Sequence, residues 1–516
     1  MTEDSAKIKL NKLMCHAKKN LWMEKEDKYY VLNSLLDLFG FDAPAPDNSD
    51  ENHDFNIDDI QAEIIDPLVD YAIQKKLTTK EERILFETKM MGLITPSPSA
   101  VNRKFDEIEK KEGKEAATDA LFKLSKANNY LRMCDINKNI KWRHHGSLGD
   151  IEITINLSKP EKDPKEIALA KSLPQSGYPA CMLCASNLGF AGNLNHPARQ
   201  TLRYIPITLT NEQWYMQFSP YQYYREHLIA FSERHRPMAV TSDSLKRLIE
   251  FTDIFPHYFI GSNAALPIVG GSILTHDHYQ GGSKVLPMFK AESRRQYKSE
   301  NFKDLKIEIA NWYNSVIRIS GQNANSVHKF SSLVLEKWRD WTDESVEIIA
   351  KTTEEHNAIT PIARNENGRY IFDMILRNNR TDEKRPFGIF HPEERLHNIK
   401  KEGIGIIEVM GLFILPGRLK NELHEAEKFL TGEKEMNDKA LTDSKSNIYK
   451  HRNMILQLID AHGRKNTKED AKKFIIDKIN HICEEILEYT AVFKNTEKGQ
   501  NAFDRFMTEG LNLSKA

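Results

Sequence analysis

A chain of 516 residues is longer than one hydrophobic core organises, so roughly two to four structural units are expected. Its 73 Lys and Arg balance 74 Asp and Glu, which excludes the one-signed basic surface of a nucleic-acid binder. Five cysteines are too few for a disulfide framework, and neither a signal-peptide core nor a membrane-length apolar run is visible, so a cytoplasmic, soluble protein with no membrane partner is expected.

Residues 1–138 read as a helical region. "FNIDDIQAEI" places Ile57, Ile60 and Ile64 at helical spacing, and Asp66-Pro67 reads as an N-cap followed by Pro at the first helical position. "GLITPSPSAVN" reads as a Pro/Ser turn, and "AATDALFKLSKANNYLR" as a further helix. Near residue 140 the period changes from helical to alternating. In "IEITINLSKP", Ile151, Ile153 and Ile155 alternate with Glu152, Thr154 and Asn156, the pattern of a half-buried strand.

From there to about residue 425 strand-like segments dominate, among them "RYIPITL", "EHLIAFS", "HYFIGSN", "SVIRIS", "YIFDMILRN" and "GIGIIEVMGLFILP". Helices such as "DSLKRLIEFTDIF" and "SSLVLEKWRDWTDESVEII" interrupt them. The long apolar run ending in "LFILP" reads as core. The tail from 426 to 516 returns to helix, with Ile475, Ile479, Ile482 and Ile486 as its apolar stripe. Helical stripes of this kind are ordinary packing surfaces, so chemistry belongs in the middle of the chain.

Two constellations stand there. In "GGSILTHDHYQGG", His276, His278 and Gln280 alternate, so on a strand they share one face and one site. A neutral imidazole at 278 is a nucleophile for phosphorus, Gln280 is an uncharged donor for a phosphoryl oxygen, and the flanking glycines admit a phosphate to the backbone. An isolated H-x-H would more simply be a pair of satisfied strand histidines; the glutamine and glycines favour chemistry. The second constellation is "CMLC". Cys181 and Cys184 have the spacing of two zinc ligands, with His235 and His276 as candidates to complete four; a redox dithiol and two ordinary buried cysteines are the alternatives.

Taken together, "CMLCASNLGFAGNLNHPARQTLRYIPITL", "QFSPYQYYREHLIAFSERHRPM", "FIGSNAALPIVGGSILTHDHYQGG" and "FGIFHPEERLHNIKKEGIGIIEVMGLFILPGRL" resemble the galactose-1-phosphate uridylyltransferases, in particular their longer bacterial type. The resemblance also takes in "GDIEITINLSKPEKDPKEIALAK" and spans about residues 30 to 430. It implies an α+β fold of histidine-triad-like type, a mainly antiparallel sheet packed by helices. The implied territories are a catalytic half with the nucleotide site at 139–300, a second sheet-containing half on the hexose-phosphate side at 301–425, and helical ends.

The resemblance further implies that His278 is the nucleophile that forms a uridylyl-enzyme and that Gln280 holds the phosphoryl group. Asn263 and Ser272 resemble contacts to the nucleotide phosphates, and Glu408 a carboxylate that binds hexose hydroxyls. Cys181, Cys184, His235 and His276 align with a structural zinc site. The implied substrates are UDP-glucose and galactose 1-phosphate, turned over by ping-pong transfer of UMP in galactose metabolism, with a homodimer as the usual assembly. The alternatives are a nucleotide-sugar hydrolase or phosphorylase of the same superfamily, and a non-catalytic nucleotide-sugar-binding protein.

Arg143, Arg199, Arg203 and Arg377 are basic residues available to a diphosphate, each with a surface ion pair as its simpler role. Two departures from the family pattern stand out. Asp277 occupies the place where better-known members have Pro, and "HPEERLHN" lacks two of the family's histidines. His391 and His397 remain, and are expected to be hydrogen-bonded loop histidines.

Overall fold

The computed structural model describes residues 1–46, 57, 59–158, 177–271 and 273–516. Ser272 and the later part of "GDIEITINLSKPEKDPKEIALAK" therefore lie outside the described residues. The described residues form two units. The first comprises Met1–Lys138, the described part of Lys162–Arg236, and His276–Gly282; the second comprises the described part of Asn139–Glu161, Pro237–Thr275 and Ser283–Ala516.

In chain order the strands begin with β1 (Ile140–Gly146), β2 (Gly149–Asn156), β3 (Ile205–Leu209), β4 (Glu212–Phe218) and β5 (Leu228–Ser232). They continue with β6 (Phe259–Gly261), β7 (His278–Gly282), β8 (Ser293–Lys298), β9 (Lys306–Ala310) and β10 (Val316–Gly321). The last are β11 (Asn357–Glu366), β12 (Arg369–Asn378), β13 (Leu412–Pro416) and β14 (Ser514–Lys515).

The first unit joins a helical region to four antiparallel strands. Helices Glu3–Asn20, Lys28–Phe39, Arg83–Ile94, Pro98–Glu112 and Lys114–Ala127 bury apolar stripes such as Leu10, Leu13 and Met14. Thr2 and Ser97 cap two of them by accepting from Ser5 N and Ala100 N. The Pro/Ser turn shrinks to Thr95–Ser97, because Pro98 opens the next helix at the position where its missing N–H costs nothing. Strand β3 pairs with β4, β4 with β5 and β5 with β7, all antiparallel.

Asp66 is not the start of a helix. A π-helical turn, Gln61–Ile65, runs directly into Asp66–Gln74, and the widened turn accommodates Pro67 inside a continuous helical run. The Asp66 carboxylate is occupied by Gln61 Nε2 at 2.8 Å and Arg83 Nη2 at 2.7 Å instead of by its own helix.

In the second unit β8, β9, β10, β12 and β11 form an antiparallel series, with β14 on the β8 edge and β6 on β11. Helices Ser242–Ile254 and Ala324–Asp340 cover it, packing on β10, β11 and β12. A smaller sheet pairs β1 and β2 antiparallel and β2 and β13 parallel. Ile475, Ile479, Ile482 and Ile486 are all buried on the helix Lys468–Thr490. The architecture is α+β with mainly antiparallel pairing and helices at both ends of the chain.

Two sequence expectations change here. "GIGIIEVMGLFILP" is not one strand: Ile406–Val409 makes a helical turn, Gly411 adopts a φ of 92°, and only Leu412–Pro416 joins the sheet. The segment is core, with Ile406, Val409, Leu412 and Phe413 buried. In "SSLVLEKWRDWTDESVEII" the helix stops at Asp340, and only a short 3₁₀ turn, Glu344–Val346, follows.

One buried ionic element ties β10, β11 and β12 together. Asp373 is fully buried; its Oδ1 accepts from Arg318 Nε at 2.6 Å, and its Oδ2 from Arg364 Nη1. Arg318 stands directly across from Asp373 and also donates to the carbonyls of Ala291 and Met288. Burial pushes the Asp373 carboxyl upward, but Arg364 and Arg318 outweigh it and hold it below the ordinary range. Removing the carboxylate alone leaves Arg318 without its ion-pair partner and Arg364 with only the more exposed Glu366. Asp373→Ala is therefore expected to destabilise this unit by about 3 to 5 kcal/mol, read as a lowered thermal midpoint, whereas replacing all three residues by apolar ones recovers most of it.

Candidate active site and metal cluster

The "CMLC" segment is a tight turn built to present two sulfurs. Cys184 N donates to Cys181 O at 3.4 Å, and Asn187 Nδ2 donates to both Cys181 O and Cys184 O at 2.8 Å. His196 in turn holds Asn187 Oδ1 at 2.6 Å. Cys181 Sγ lies 3.5 Å from Cys184 Sγ and 3.2 Å from His276 Nδ1, and Cys184 Sγ lies 3.1 Å from His235 Nδ1. All four donor atoms fall within 4.8 Å of one another.

These separations fit a metal. A zinc tetrahedron with Zn–S of about 2.3 Å and Zn–N of about 2.0 Å places its sulfurs ~3.8 Å apart and its S···N pairs ~3.5 Å apart. His276 Nε2 lies 2.8 Å from Ser232 O, so the ring proton sits on Nε2 and the Nδ1 lone pair faces the sulfurs. Burial pushes the Cys181 thiol up, but the contact with His276 and a hydrogen bond from Leu183 N outweigh it and bring it down to about 7; Cys184 is pushed up to about 11 by burial and by Cys181. One sulfur is thus poised as thiolate. Cys181, Cys184, His235 and His276 form a cluster compatible with structural zinc.

His276 lies just before β7, and its ring belongs to the sulfur cluster; His278 and Gln280 lie on β7 itself, opposite Phe231 and Ile229 of β5. The three alternating residues are thus divided between two tasks. His278 is buried, and its Nδ1 lies 2.8 Å from the backbone carbonyl of His276. Nδ1 therefore carries the proton and Nε2 is the nitrogen with the free lone pair. Burial lowers the pKa of His278 to about 4, so the ring is neutral at pH 7.

Gln280 has a neighbour that the sequence reading missed. His227, at the amino-terminal side of β5, lies with Nε2 at 3.3 Å from Gln280 Oε1 and Nδ1 at 2.7 Å from Tyr221 O. Burial lowers its pKa to about 4, so it too is neutral and has a single N–H. Both neighbouring atoms are oxygens that accept, so the ring's one N–H serves Tyr221 O or Gln280 Oε1, and the Gln280 amide nitrogen stays available to a ligand. His227 and Gln280 are 53 positions apart, and only the pairing of β5 with β7 brings them together.

Asn263 and Glu408 belong to the second unit, where they share one turn. Asn263 Oδ1 accepts from Ile406 N at 2.9 Å. Glu408 Oε2 accepts from Gly405 N at 3.1 Å, and its Oε1 receives Lys400 Nζ at 2.9 Å. Arg377 is fully buried, donates to Ile404 O, and is lowered by burial to about 10. Arg203 is committed to the carbonyls of Thr95, Pro96, Gln200 and Leu202, while Arg143 is half exposed beside Asp150 and Glu152. His391 Nδ1 and His397 Nε2 both lie 3.2 Å from Pro392 O, hydrogen-bonded loop histidines as expected.

Comparison with known proteins shows the family. The models of the galactose-1-phosphate uridyl transferase N-terminal and C-terminal domains match residues 23–237 and 250–445. A galactose-1-phosphate uridylyltransferase of Caldanaerobacter subterraneus is 47% identical over 98% of both chains, and one of Bacillus subtilis is 41% identical over 94% of this chain and 93% of that one. The chain belongs to the galactose-1-phosphate uridylyltransferase family. It is accordingly a nucleotidyltransferase. The crystal structure of yeast Ap4A phosphorylase Apa2 aligns with 64% of this chain and 89% of that one, at TM-score 0.33 and 11% identity. No helix among the described residues is long and apolar enough to cross a membrane.

Zinc held by the Cys2His2 cluster would contribute to stability. A ligand held at a thousand times its Kd contributes about 4 kcal/mol, so stripping zinc with a chelator, or Cys184→Ser, is expected to lower the thermal midpoint. Elemental analysis should show one zinc equivalent lost in that variant. A zinc content unchanged by Cys184→Ser would remove the cluster as the site.

Proposed function

We propose that this uridylyltransferase works by ping-pong transfer through a uridylyl-histidine at His278. His278 Nε2 attacks the α-phosphorus of UDP-glucose, the bond from that phosphorus to the bridging oxygen breaks, and glucose 1-phosphate leaves. Galactose 1-phosphate then attacks the same phosphorus through a phosphate oxygen; the P–N bond breaks and UDP-galactose departs. No net proton is gained or lost at the ring.

The observation that carries this reading is the hydrogen bond from His278 Nδ1 to the His276 carbonyl. When Nε2 bonds to phosphorus the ring becomes cationic, and a carbonyl oxygen already accepting from Nδ1–H stabilises that charge without reorganisation. The ring cannot turn away, and Nε2 stays aimed. Gln280 supplies an N–H to a non-bridging oxygen, with His227 fixing the amide. Cys181, Cys184, His235 and His276 would hold zinc, which would supply structural support. Asn263, Ser272 and Glu408 enter the proposal by resemblance, as phosphate and hexose contacts, and so do the cytoplasmic location, the homodimer and the division into catalytic and hexose-phosphate halves at 139–300 and 301–425.

The decisive test is intact-protein mass after incubation with UDP-glucose alone. A gain of one UMP that is absent in His278→Ala and discharged by galactose 1-phosphate is expected. UDP-glucose bound with no adduct would exclude the covalent route. Because the lowered pKa keeps His278 neutral above about 4, adduct formation should hold its rate as pH falls from 8 to about 6 and be lost only toward 4; a loss centred on the ordinary histidine value of ~6.5 would contradict the assignment.

His227→Gln frees the Gln280 amide from its partner while leaving the nucleophile in place. A fall in kcat of about tenfold with KM little changed is expected, since positioning is lost but ground-state binding is kept.

A further inference from the structure

A second cluster of metal-ligating side chains lies in the second unit, apart from the sulfur site. It arises where β1 meets the helix Lys468–Thr490. Strand alternation turns Trp142, His144 and Gly146 to one face of β1 and Arg143 and His145 to the more exposed one. Two strand residues advance about 6.8 Å and four helical residues about 6.0 Å, so positions i and i+2 of the strand keep step with i and i+4 of the helix. Trp142 meets Asn480, its Nε1 donating to Oδ1 at 2.7 Å, and His144 meets Glu484.

Glu484 is held with one oxygen committed to hydrogen bonds and the other turned toward two histidines. Oε1 accepts from Ser147 N and from Tyr313 OH, both at 2.7 Å. Oε2 lies 3.6 Å from His144 Nε2 and 3.7 Å from His481 Nδ1, the latter one helical turn away at i−3. His144 Nε2 is buried with no hydrogen-bond partner, a position that costs free energy unless something occupies its lone pair or its proton. Any side chain at Gly146 would collide with Glu484 Oε1 and Tyr313 OH, so the strand is shaped to the carboxylate.

We propose that His144, His481 and Glu484 bind one divalent transition-metal ion, clasping the β1–β2 hairpin to the carboxy-terminal helix. Two imidazoles with one carboxylate select zinc, cobalt or nickel over magnesium or calcium, which prefer all-oxygen shells. Ligand atoms about 2.1 Å from such an ion stand about 3.0 to 3.4 Å apart, and each imidazole nitrogen lies a few tenths of an ångström beyond that spacing from the carboxylate oxygen, with the two rings 6.0 Å apart between centroids. His481 is 71% exposed and free to move, while His144 and Glu484, at 16% and 15%, form the fixed part of the site. The surroundings favour a cation: Glu488 is pushed upward by burial and then by Glu484 and Glu485, the mark of excess negative charge on this helix.

The test is a cobalt titration of the full-length protein, followed by calorimetry and by absorption. Cobalt in the Cys2His2 cluster gives an intense thiolate charge-transfer band, and cobalt at the histidine and carboxylate site gives none, so the two sites report separately. Two equivalents are expected in the wild type. His481→Ala and His144→Ala should each weaken the second equivalent at least about tenfold and leave the thiolate band unchanged. His481 is a surface residue, so its variant keeps the fold and decides the matter alone. Binding of one equivalent only in the wild type, or a second equivalent indifferent to His481→Ala, would overturn the proposal.

Discussion

The first unit turns on one hydrogen bond, from His278 Nδ1 to the carbonyl oxygen of His276. That carbonyl is in place because residue 276 is held by its side chain as well as its backbone. Its Nε2 donates to Ser232 O, its Nδ1 faces the sulfurs of Cys181 and Cys184, and the next residue closes the ladder with Asp277 O accepting from Ser232 N at 3.0 Å. A metal held by the cluster would therefore act on His278, the proposed nucleophile, without touching it. It would fix the residue whose carbonyl sets the tautomer of His278. Burial completes the arrangement: a histidine taken out of water sheds its charge, and the neutral ring is the form with a lone pair to give.

The sequence made this centre readable because its parts follow local rules. Alternation brings His278 and Gln280 to one face, and C-x-x-C spacing on a turn brings two sulfurs together. Neither rule reaches across strands. His227 and Asn187 have no local signature: one acts through strand pairing, and the other ties a turn by bonding two carbonyls beside it. The errors have the same origin. Asp66-Pro67 has the composition of a helix start, but residues 61–65 had already begun the helix and Arg83 had claimed the carboxylate. In "GIGIIEVMG" apolar content pointed to a strand, while the Glu408 carboxylate on Gly405 N and the Asn263 amide oxygen on Ile406 N fold those residues into a turn.

That turn bears on what Glu408 is able to do. Lys400 and a backbone N–H engage its two oxygens, and Arg377 is a second buried cation close enough to be influenced by its charge. A carboxylate oxygen has capacity for more than one donor, so a sugar hydroxyl can still be received. What the surroundings remove is conformational choice: the carboxylate is oriented before any ligand arrives. Preorganisation of this kind favours affinity, because ordering is settled during folding and not during binding.

Asp277, where better-known members of the family have proline, shows how the same centre is held by different means. Proline there would fix φ through its ring and give up its N–H. In this chain the N–H of Asp277 donates to Arg236 O at 2.8 Å, a bond proline cannot make. The Asp277 carboxylate pairs with Arg236 Nε at 3.3 Å, and Arg236 is itself gripped by both oxygens of Glu212. The neighbouring residue on the chain, His235, is a cluster ligand, so the two histidine segments that face the sulfurs are laced together next to the site they form. The carboxylate is spent on Arg236, and burial, not Asp277, sets the charge of His278. Rigidity that a ring would supply is supplied here by a backbone bond and an ion pair, and the hydrogen bond from His278 to the His276 carbonyl is preserved.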